Sequence, residues 1–465
     1  MGAPLATNAS ADRAADRGAT VDELEAPPGP AWIRPAAMIL FILGIVGALA
    51  MLLWQTRAYG SVARFTNSPP MAMAIMFALI AVMALAVVVL RPERGELHAL
   101  SVTSAVWSLA LVVALVFAWA AISSTDRQDH WHGMFQSGLP ETDSYLEAHV
   151  PSSIAPIRIP TGVLIKSLEF LDGDNVSVSG FVWQRYGPDV PDDLDRGVVL
   201  AEEVNNYYEL KEAYRYEEDG VETIGWFFSA KLRQPFGYAQ FPFDEQDVWL
   251  RLWPRDFSED IVLVPDYASY TSMTPGSLPG IEHEFVYSGW TPLYSGFSYS
   301  DQPYDTSFGI GRAGQYADLP DLYFNFVLDR EFAGPFFEHV IFAIAVAFLL
   351  FGLLVLTTDD EQLKARFQLS TSGVLGAASG LLFAVILKHN QLRSGVAGKS
   401  LSYIEVLPII LYGAIVVVVL NAILVAAPVN MKLVKHRNNL WPVLAYWPVM
   451  LAVLLIVTLA VFFRP

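Results

Sequence analysis

One apolar stretch near the end of the chain, residues 367–387, carries polar side chains at helical spacing. On a helix that turns about 100° per residue, six of its positions fall within one narrow stripe. These positions are Gln368, Ser372, Leu375, Ser379, Leu382 and Ile386. Polar groups in hydrocarbon are costly and usually face water or a bundle interior, so a ring of such helices would form a wet tube with an apolar constriction. Small residues also let helices pack closely, so the helix alone leaves a pore and a packing interface equally open.

Residues that would mark an enzyme are sparse. The chain has no cysteine and 8 histidines, and it lacks a zinc motif, a phosphate-binding loop and a nucleophile elbow. Disulfides and thiolate metal sites are therefore impossible. We predict that the protein is not an enzyme and has no cofactor and no metal site. The histidines His283, His339 and His389 are candidates for proton sensing.

The composition predicts a membrane protein. Hydrophobic residues make up 54% of the chain, more than soluble domains usually contain. Seven apolar stretches are each long enough to cross a bilayer core of about 30 Å. They are Pro35–Trp54, Met71–Leu90, Leu100–Ile122, Phe336–Leu356, Phe367–Leu387, Tyr403–Ala426 and Trp441–Phe463. The formal charge of −18 argues against a nucleic-acid partner, which requires a basic face.

The region between the third and fourth stretches predicts a β domain that lies in water. Charged and turn residues return there, and short runs rich in Val, Phe, Trp and Tyr alternate with turn clusters. The predicted strands are Val163–Glu169, Val176–Trp183, Thr223–Leu232, Val248–Trp253, Glu284–Trp290 and Leu322–Leu328. Many short strands with few helical patterns indicate a β-sandwich or a barrel.

We predict five regions in the chain. They are a disordered cytoplasmic tail (1–33), a three-helix transmembrane region (34–123), a linker (124–154), an extracytoplasmic β domain (155–334) and a four-helix transmembrane domain (335–465). The loop with Lys432, Lys435 and Arg437 is placed inside, because cytoplasmic loops are rich in Lys and Arg. The amino terminus is then cytoplasmic and the β domain outside. An extracytoplasmic domain without cysteine favours a bacterial inner membrane.

One turn in the β region has the sequence Phe241-Pro242-Phe243-Asp244-Glu245-Gln246. It resembles the signature loop of the pentameric ligand-gated ion channels, the Cys-loop or Pro-loop receptors. The bracketing cysteines of the animal receptors are absent, as in the prokaryotic branch. Three other segments are similar to the family's second strand, last strand and pore-helix start. They are Gly180–Tyr186, Leu322–Arg330 and Ala365–Leu375. Four helices after a β domain are also the family order, and the resemblance covers residues 155–463.

This resemblance implies an immunoglobulin-like β-sandwich followed by a four-helix transmembrane pore domain, assembled as a homopentamer in the lipid bilayer. It implies a channel for permeant small ions that opens with a small-molecule or proton agonist. The stripe would line the pore, with Leu375 as the hydrophobic gate and Gln368 and Ser372 as narrow polar rings. Arg366 would lie at the cytoplasmic mouth. Selectivity for cations or anions stays open.

The resemblance also implies a coupling site and a ligand site. The expected coupling residues are Phe241, Pro242, Phe243, Asp244, Arg330 and Tyr403, with an ion pair between Asp244 and Arg330. The ligand-binding candidates are Trp183 on one side of a subunit interface and, on the other, Tyr267, Tyr270 and Tyr316. Aromatic boxes of this kind hold cations against their ring faces.

Three features depart from the family pattern. The family's first pore-domain helix normally contains a proline, and Ile341–Leu354 has none. The stretch Gly187–Val221 does not align strand by strand, and the three leading spans have no counterpart. The alternative function is a non-conducting membrane sensor or scaffold that keeps the fold, because a fold does not guarantee a function.

Overall fold

The computed structural model describes residues 30, 32–59, 68–123, 132–284, 289–301, 304, 319–358, 370–395, 401–427 and 439–463. The chain divides into two compact units. The helical unit comprises Met1–Thr125, Ala343–Val385 and Leu407–Pro465. The β unit comprises Asp126–Phe342 and Ile386–Val406, and so includes the ends of the helices that adjoin it in sequence.

Seven of the described helices are long and apolar enough to span a membrane, as the sequence predicts. At 1.5 Å per residue, about 20 residues cross the hydrocarbon core. In chain order the helices are α1 (Ile33–Tyr59), α2 (Pro69–Leu90), α3 (Leu97–Ser123), the short polar α4 (Leu139–His149), α5 (Ala333–Leu356), α6 (Thr371–Gly395), α7 (Val406–Ala426) and α8 (Leu440–Phe462). A single 3₁₀ turn, Tyr403–Glu405, leads into α7.

The leading helices of the helical unit pack closely on one another and on the last helix. A Cβ atom added at Gly44 of α1 would lie 2.8 Å from the carbonyl oxygen of Phe77 in α2, so only a small residue allows this approach. The Ser104 hydroxyl of α3 donates a hydrogen bond to the carbonyl of Leu444 in α8, at 2.6 Å. The helices that precede the β region are therefore joined to α8, the last helix of the chain.

The β region forms two five-stranded sheets. The first has the order β1-β9-β10-β7-β4 and the second the order β5-β6-β3-β2-β8. The strands are β1 (Met134–Gln136), β2 (Ile157–Phe170), β3 (Asn175–Tyr186), β4 (Val198–Leu200), β5 (Glu203–Glu218), β6 (Val221–Arg233), β7 (Glu245–Pro254), β8 (Ile261–Pro265), β9 (Trp290–Ser300) and β10 (Asp321–Arg330). All paired strands are antiparallel except β2 and β8.

Alternating burial along the strands shows which face of each sheet packs into the core. Every second residue of β7 is buried, including Val248, Leu250 and Leu252, and β3 shows the same alternation. Successive side chains of a strand point to opposite faces, so one face of each sheet packs inside. The Tyr299 hydroxyl of the first sheet donates to the Leu263 carbonyl of the second, at 2.8 Å.

Five of the six predicted strands lie within β2, β3, β6, β7 and β10. The predicted strand at Glu284–Trp290 falls mainly on residues 285–288, which lie outside the described residues; Glu284 is in a turn and β9 begins at Trp290. The segment predicted as a linker contains β1 and α4.

Candidate functional site

The loop between β6 and β7 connects the second sheet to the first and contains the signature turn. The bond between Phe241 and Pro242 is cis. Both Phe241 and Phe243 are buried, and hydrogen bonds to carbonyls two or three residues earlier fold the loop back on itself. The aromatic side chains thus form an apolar knob, with Asp244 buried beside it.

The predicted ion pair between Asp244 and Arg330 is present. Arg330 Nε lies 2.7 Å from Asp244 Oδ1, and Nη2 lies 3.0 Å from Oδ2, so the guanidinium binds the carboxylate at two points. Asp244 is 2% exposed. The Gln246 amide also donates to Asp244 Oδ2, at 2.6 Å. Two-point pairs of this kind fix geometry as well as charge.

Aromatic rings surround the Arg330 guanidinium. Its carbon lies 4.0 Å from the ring centre of Trp290, 4.8 Å from that of Phe241 and 6.0 Å from that of Tyr238. A cation over an aromatic face is attracted by the ring quadrupole, and more strongly when water is excluded. Arg330 is therefore held by charge and by stacking at the last residue of β10, three residues before α5 begins.

The same loop is hydrogen-bonded to the turn that precedes α7. The backbone N–H of Tyr403 donates to the Ala239 carbonyl at 3.0 Å, and that of Ile404 donates to the Phe241 carbonyl at 3.2 Å. The ring of Phe243 packs 5.3 Å from that of Phe332, which lies just before α5. One loop of the β unit therefore contacts the segments that lead into two different helices.

Glu405 ties this turn to the end of α6. Its Oε1 binds Arg393 Nη1 at 2.8 Å and lies 3.3 Å from His389 Nε2. Its Oε2 accepts a hydrogen bond from the Ser402 backbone N–H at 2.7 Å. Sequence reasoning missed this residue, although Ser402-Tyr403-Ile404-Glu405 is a capping-box pattern that could have revealed it.

The turn after β2 borders a cleft beside the 241–246 loop. Asp172 Oδ1 accepts backbone N–H bonds from Asp174 and Asn175, both at 3.0 Å. The bond from Asp174 is the main cause that lowers the pKa of this carboxyl below its usual value. The cleft has a volume of about 470 Å³, and its lining includes Arg330, Trp290 and Leu392. Two of the expected coupling residues, Phe241 and Arg330, therefore line one cleft together with Asp172.

The predicted pore stripe is exposed in the single chain over its described part. Gln368 and Arg366 lie outside the described residues. The positions Ser372, Leu375, Ser379, Leu382 and Ile386 are all exposed. On another face of α6, Val374, Ala378 and Val385 are buried. The Ser379 hydroxyl donates to the Leu375 carbonyl at 2.8 Å, so its donor is satisfied within the helix.

Two of the aromatic ligand candidates are neighbours within the chain. The ring centres of Trp183 and Tyr270 are 5.7 Å apart. Trp183 Nε1 donates to Asp266 Oδ2 at 2.9 Å, and Tyr270 bonds the backbone of Val163. The hydroxyls of Tyr267 and Thr142 are 2.6 Å apart. Tyr316 lies outside the described residues.

Comparisons with known proteins bring no further assignment. No protein-family model matches the sequence, and no curated protein matches it. Within the described ranges, no group of three or more histidine or acidic side chains is arranged to hold a metal ion. The function must therefore be argued from the geometry of the chain itself.

Proposed function

We propose that the protein is a gated ion channel of the pentameric ligand-gated type. Five copies would surround a pore lined by α6, with the two sheets of each copy forming an immunoglobulin-like sandwich outside a bacterial inner membrane. The amino terminus would be cytoplasmic. The observation that carries the proposal is the loop at 241–246, which binds Arg330 beside α5 and the turn before α7.

This connection gives a physical route from the β domain to the pore helix. A shift of the loop displaces Arg330 through the ion pair and displaces Tyr403 through the backbone bond. Glu405, two residues after Tyr403, passes the displacement to Arg393 at the end of α6. Packed elements of this kind move between discrete arrangements, so a small shift at the loop can tilt a helix.

The exposed stripe of α6 supplies the chemistry of the proposed pore. Ser372 and Ser379 would give hydroxyl rings, and Leu375 would give an apolar ring between them that stops ions by excluding water. Gln368 and Arg366 would line the cytoplasmic end. Exposure of the stripe in one copy is what a pore built from five copies requires, since the neighbours rather than the same chain enclose it.

The agonist is proposed as a small molecule or the proton. Trp183, Tyr267, Tyr270 and Tyr316 are the proposed aromatic candidates for a cationic molecule. Because the hydroxyl of Tyr270 is used by the backbone of Val163, its contribution would come from the ring face.

Electrical recording tests the function directly. Purified protein in planar bilayers is expected to give unitary currents, and reversal potentials across salt gradients would identify the permeant ion. Recordings at several pH values would show whether protons open the channel. Silence from protein that is shown to be a folded pentamer would overturn the channel proposal in favour of a sensor or scaffold that keeps the fold.

A further inference from the structure

One carboxyl oxygen of the half-buried Asp247 on β7 lacks a hydrogen-bond donor among the described residues. Asp247 accepts one bond from the backbone N–H of His132. Its Oδ1 is buried, and no described residue donates to it. A buried carboxylate normally needs several donors or a cation to offset the loss of water. The neutral, protonated form of Asp247 is therefore the one that this environment favours.

The neighbouring strand presents a second acceptor. Asp247 is opposite Val327 of β10, and Asn325 lies two residues earlier on that strand, on the same face. The side-chain oxygen of Asn325 is also buried without a donor among the described residues. Its amide nitrogen donates to Ser298 Oγ at 2.7 Å. Two carboxyl and amide oxygens on this face of the sheet, Asp247 Oδ1 and Asn325 Oδ1, are thus buried without a donor from the described residues.

His132 packs beside this cluster. Its ring stacks on Trp249, with centres 4.4 Å apart, and packs 4.6 Å from Tyr323. Its carbonyl accepts hydrogen bonds from Ser298 and Asn325. The backbone N–H and the backbone carbonyl of His132 both form hydrogen bonds with residues of the first sheet. Asp247 accepts the bond from the N–H.

The charged groups near Asp247 do not replace the missing donor. Glu245 and Arg251 share its face of β7, and Asp329 lies opposite Glu245 on β10. Arg251 binds Glu202, with Nη2 and Oε1 2.9 Å apart. Burial and, next, Arg251 lower the pKa of the His132 imidazole, so that ring stays neutral near pH 7.

We propose that Asp247 is a proton-binding site, and that its protonation is coupled to docking of residues 132–136 on the first sheet. Burial raises the pKa of Asp247 to about 8. Because this value lies above the ordinary one, docking of the segment is favoured at low pH and weakens as the pH rises toward 8. β7 begins directly after Asp244, so the site adjoins the 241–246 loop. The inference does not require that the protein conducts ions.

Infrared titration of the purified full-length protein tests the proton site. We expect a protonated carboxyl band that is lost with a midpoint near pH 8 and that is missing in Asp247→Asn. The exposed Asp193 provides the matched control, and Asp193→Asn should retain the band. No band above pH 6 in the wild type, or a band that survives in Asp247→Asn, would overturn the proposal. The wild-type titration needs no variant to fold.

A spin label tests the consequence for docking. The chain has no cysteine, so Met134→Cys, at a position 63% exposed, gives a single labelling site in β1. The label should become more mobile as the pH rises from about 5 to 9, and Asp247→Asn should keep it immobile throughout. Equal pH responses in the two backgrounds, or no response in either, would contradict the docking role even if Asp247 binds the proton.

Discussion

Asp244 and Arg330 lie opposite each other, one position beyond the last paired residues of β7 and β10. The last paired residues are Glu245 and Asp329, and the Arg330 backbone N–H then donates to the Asp244 carbonyl at 3.3 Å. The ion pair therefore continues the register of the sheet in side-chain form. Strand pairing places the two charges opposite each other, and the short loop and the start of α5 lie immediately beyond them.

Asp244→Asn should destabilise the β unit by about 3–5 kcal/mol, because it leaves the largely buried Arg330 cation without its partner. Denaturant unfolding measures this change. Arg330→Lys keeps the charge but loses the two-point bond and much of the stacking, and should weaken both stability and channel opening. The exposed pair Arg158–Asp143 is the control, and Arg158→Ala should cost less than about 1 kcal/mol. Similar costs for Asp244→Asn and Arg158→Ala would contradict the stabilising role of the buried pair.

Leu375→Ala should make the channel open more readily. Removing the apolar side chain widens and wets the proposed constriction, so dewetting no longer closes it. Single-channel open probability measures the effect. Leu387→Ala is the matched control, because Leu387 is 53% exposed but lies outside the stripe on α6. Equal effects of the two substitutions would show that the stripe does not line the pore.

Tyr270→Phe should destabilise the β unit by about 1–3 kcal/mol, because two buried backbone groups lose their partner. The Tyr270 hydroxyl accepts from the Val163 N–H at 2.7 Å and donates to the Val163 carbonyl at 2.8 Å. The hydroxyl thereby pairs with the backbone of β2 just beyond Thr161, the last residue of β2 that pairs with β8. Thermal unfolding checks this, with Tyr216→Phe, at a 53% exposed position, as the control. An unchanged midpoint in Tyr270→Phe would refute the structural role.

Glu202→Gln should flatten the dependence of stability on pH. Burial raises the pKa of Glu202 above its ordinary value, more than Arg251 lowers it. A raised value means that the stabilising contribution is complete below the ordinary pKa and is lost as the pH rises through the shifted one. Urea midpoints at about pH 5 and pH 8 should therefore differ less in Glu202→Gln than in the wild type. Glu209→Gln, at an exposed strand position, should leave the difference unchanged.

Long strands with charge on both faces were the part of the β region that the sequence did not reveal. β5 extends over Glu203–Glu218, and its Arg215 binds Glu212 and also Glu222 of β6. These charge pairs support a strand that has no clear apolar alternation, so the period-two signal fails there. β1 is only three residues long and forms by pairing with β9, more than 150 residues away, which local propensity cannot indicate.

Local properties of the chain were enough to predict the seven apolar helices, five of the ten described strands and the turn at 241–246. Helix length, alternation and an aromatic-proline turn depend on neighbouring residues, so they can be read directly. The aromatic rings around Arg330, the partners of Glu405 and Trp183, and the burial of Asp247 Oδ1 depend on residues that are far apart in sequence. Burial and electrostatics arise only when the strands pair and exclude water, so only the folded chain reveals them.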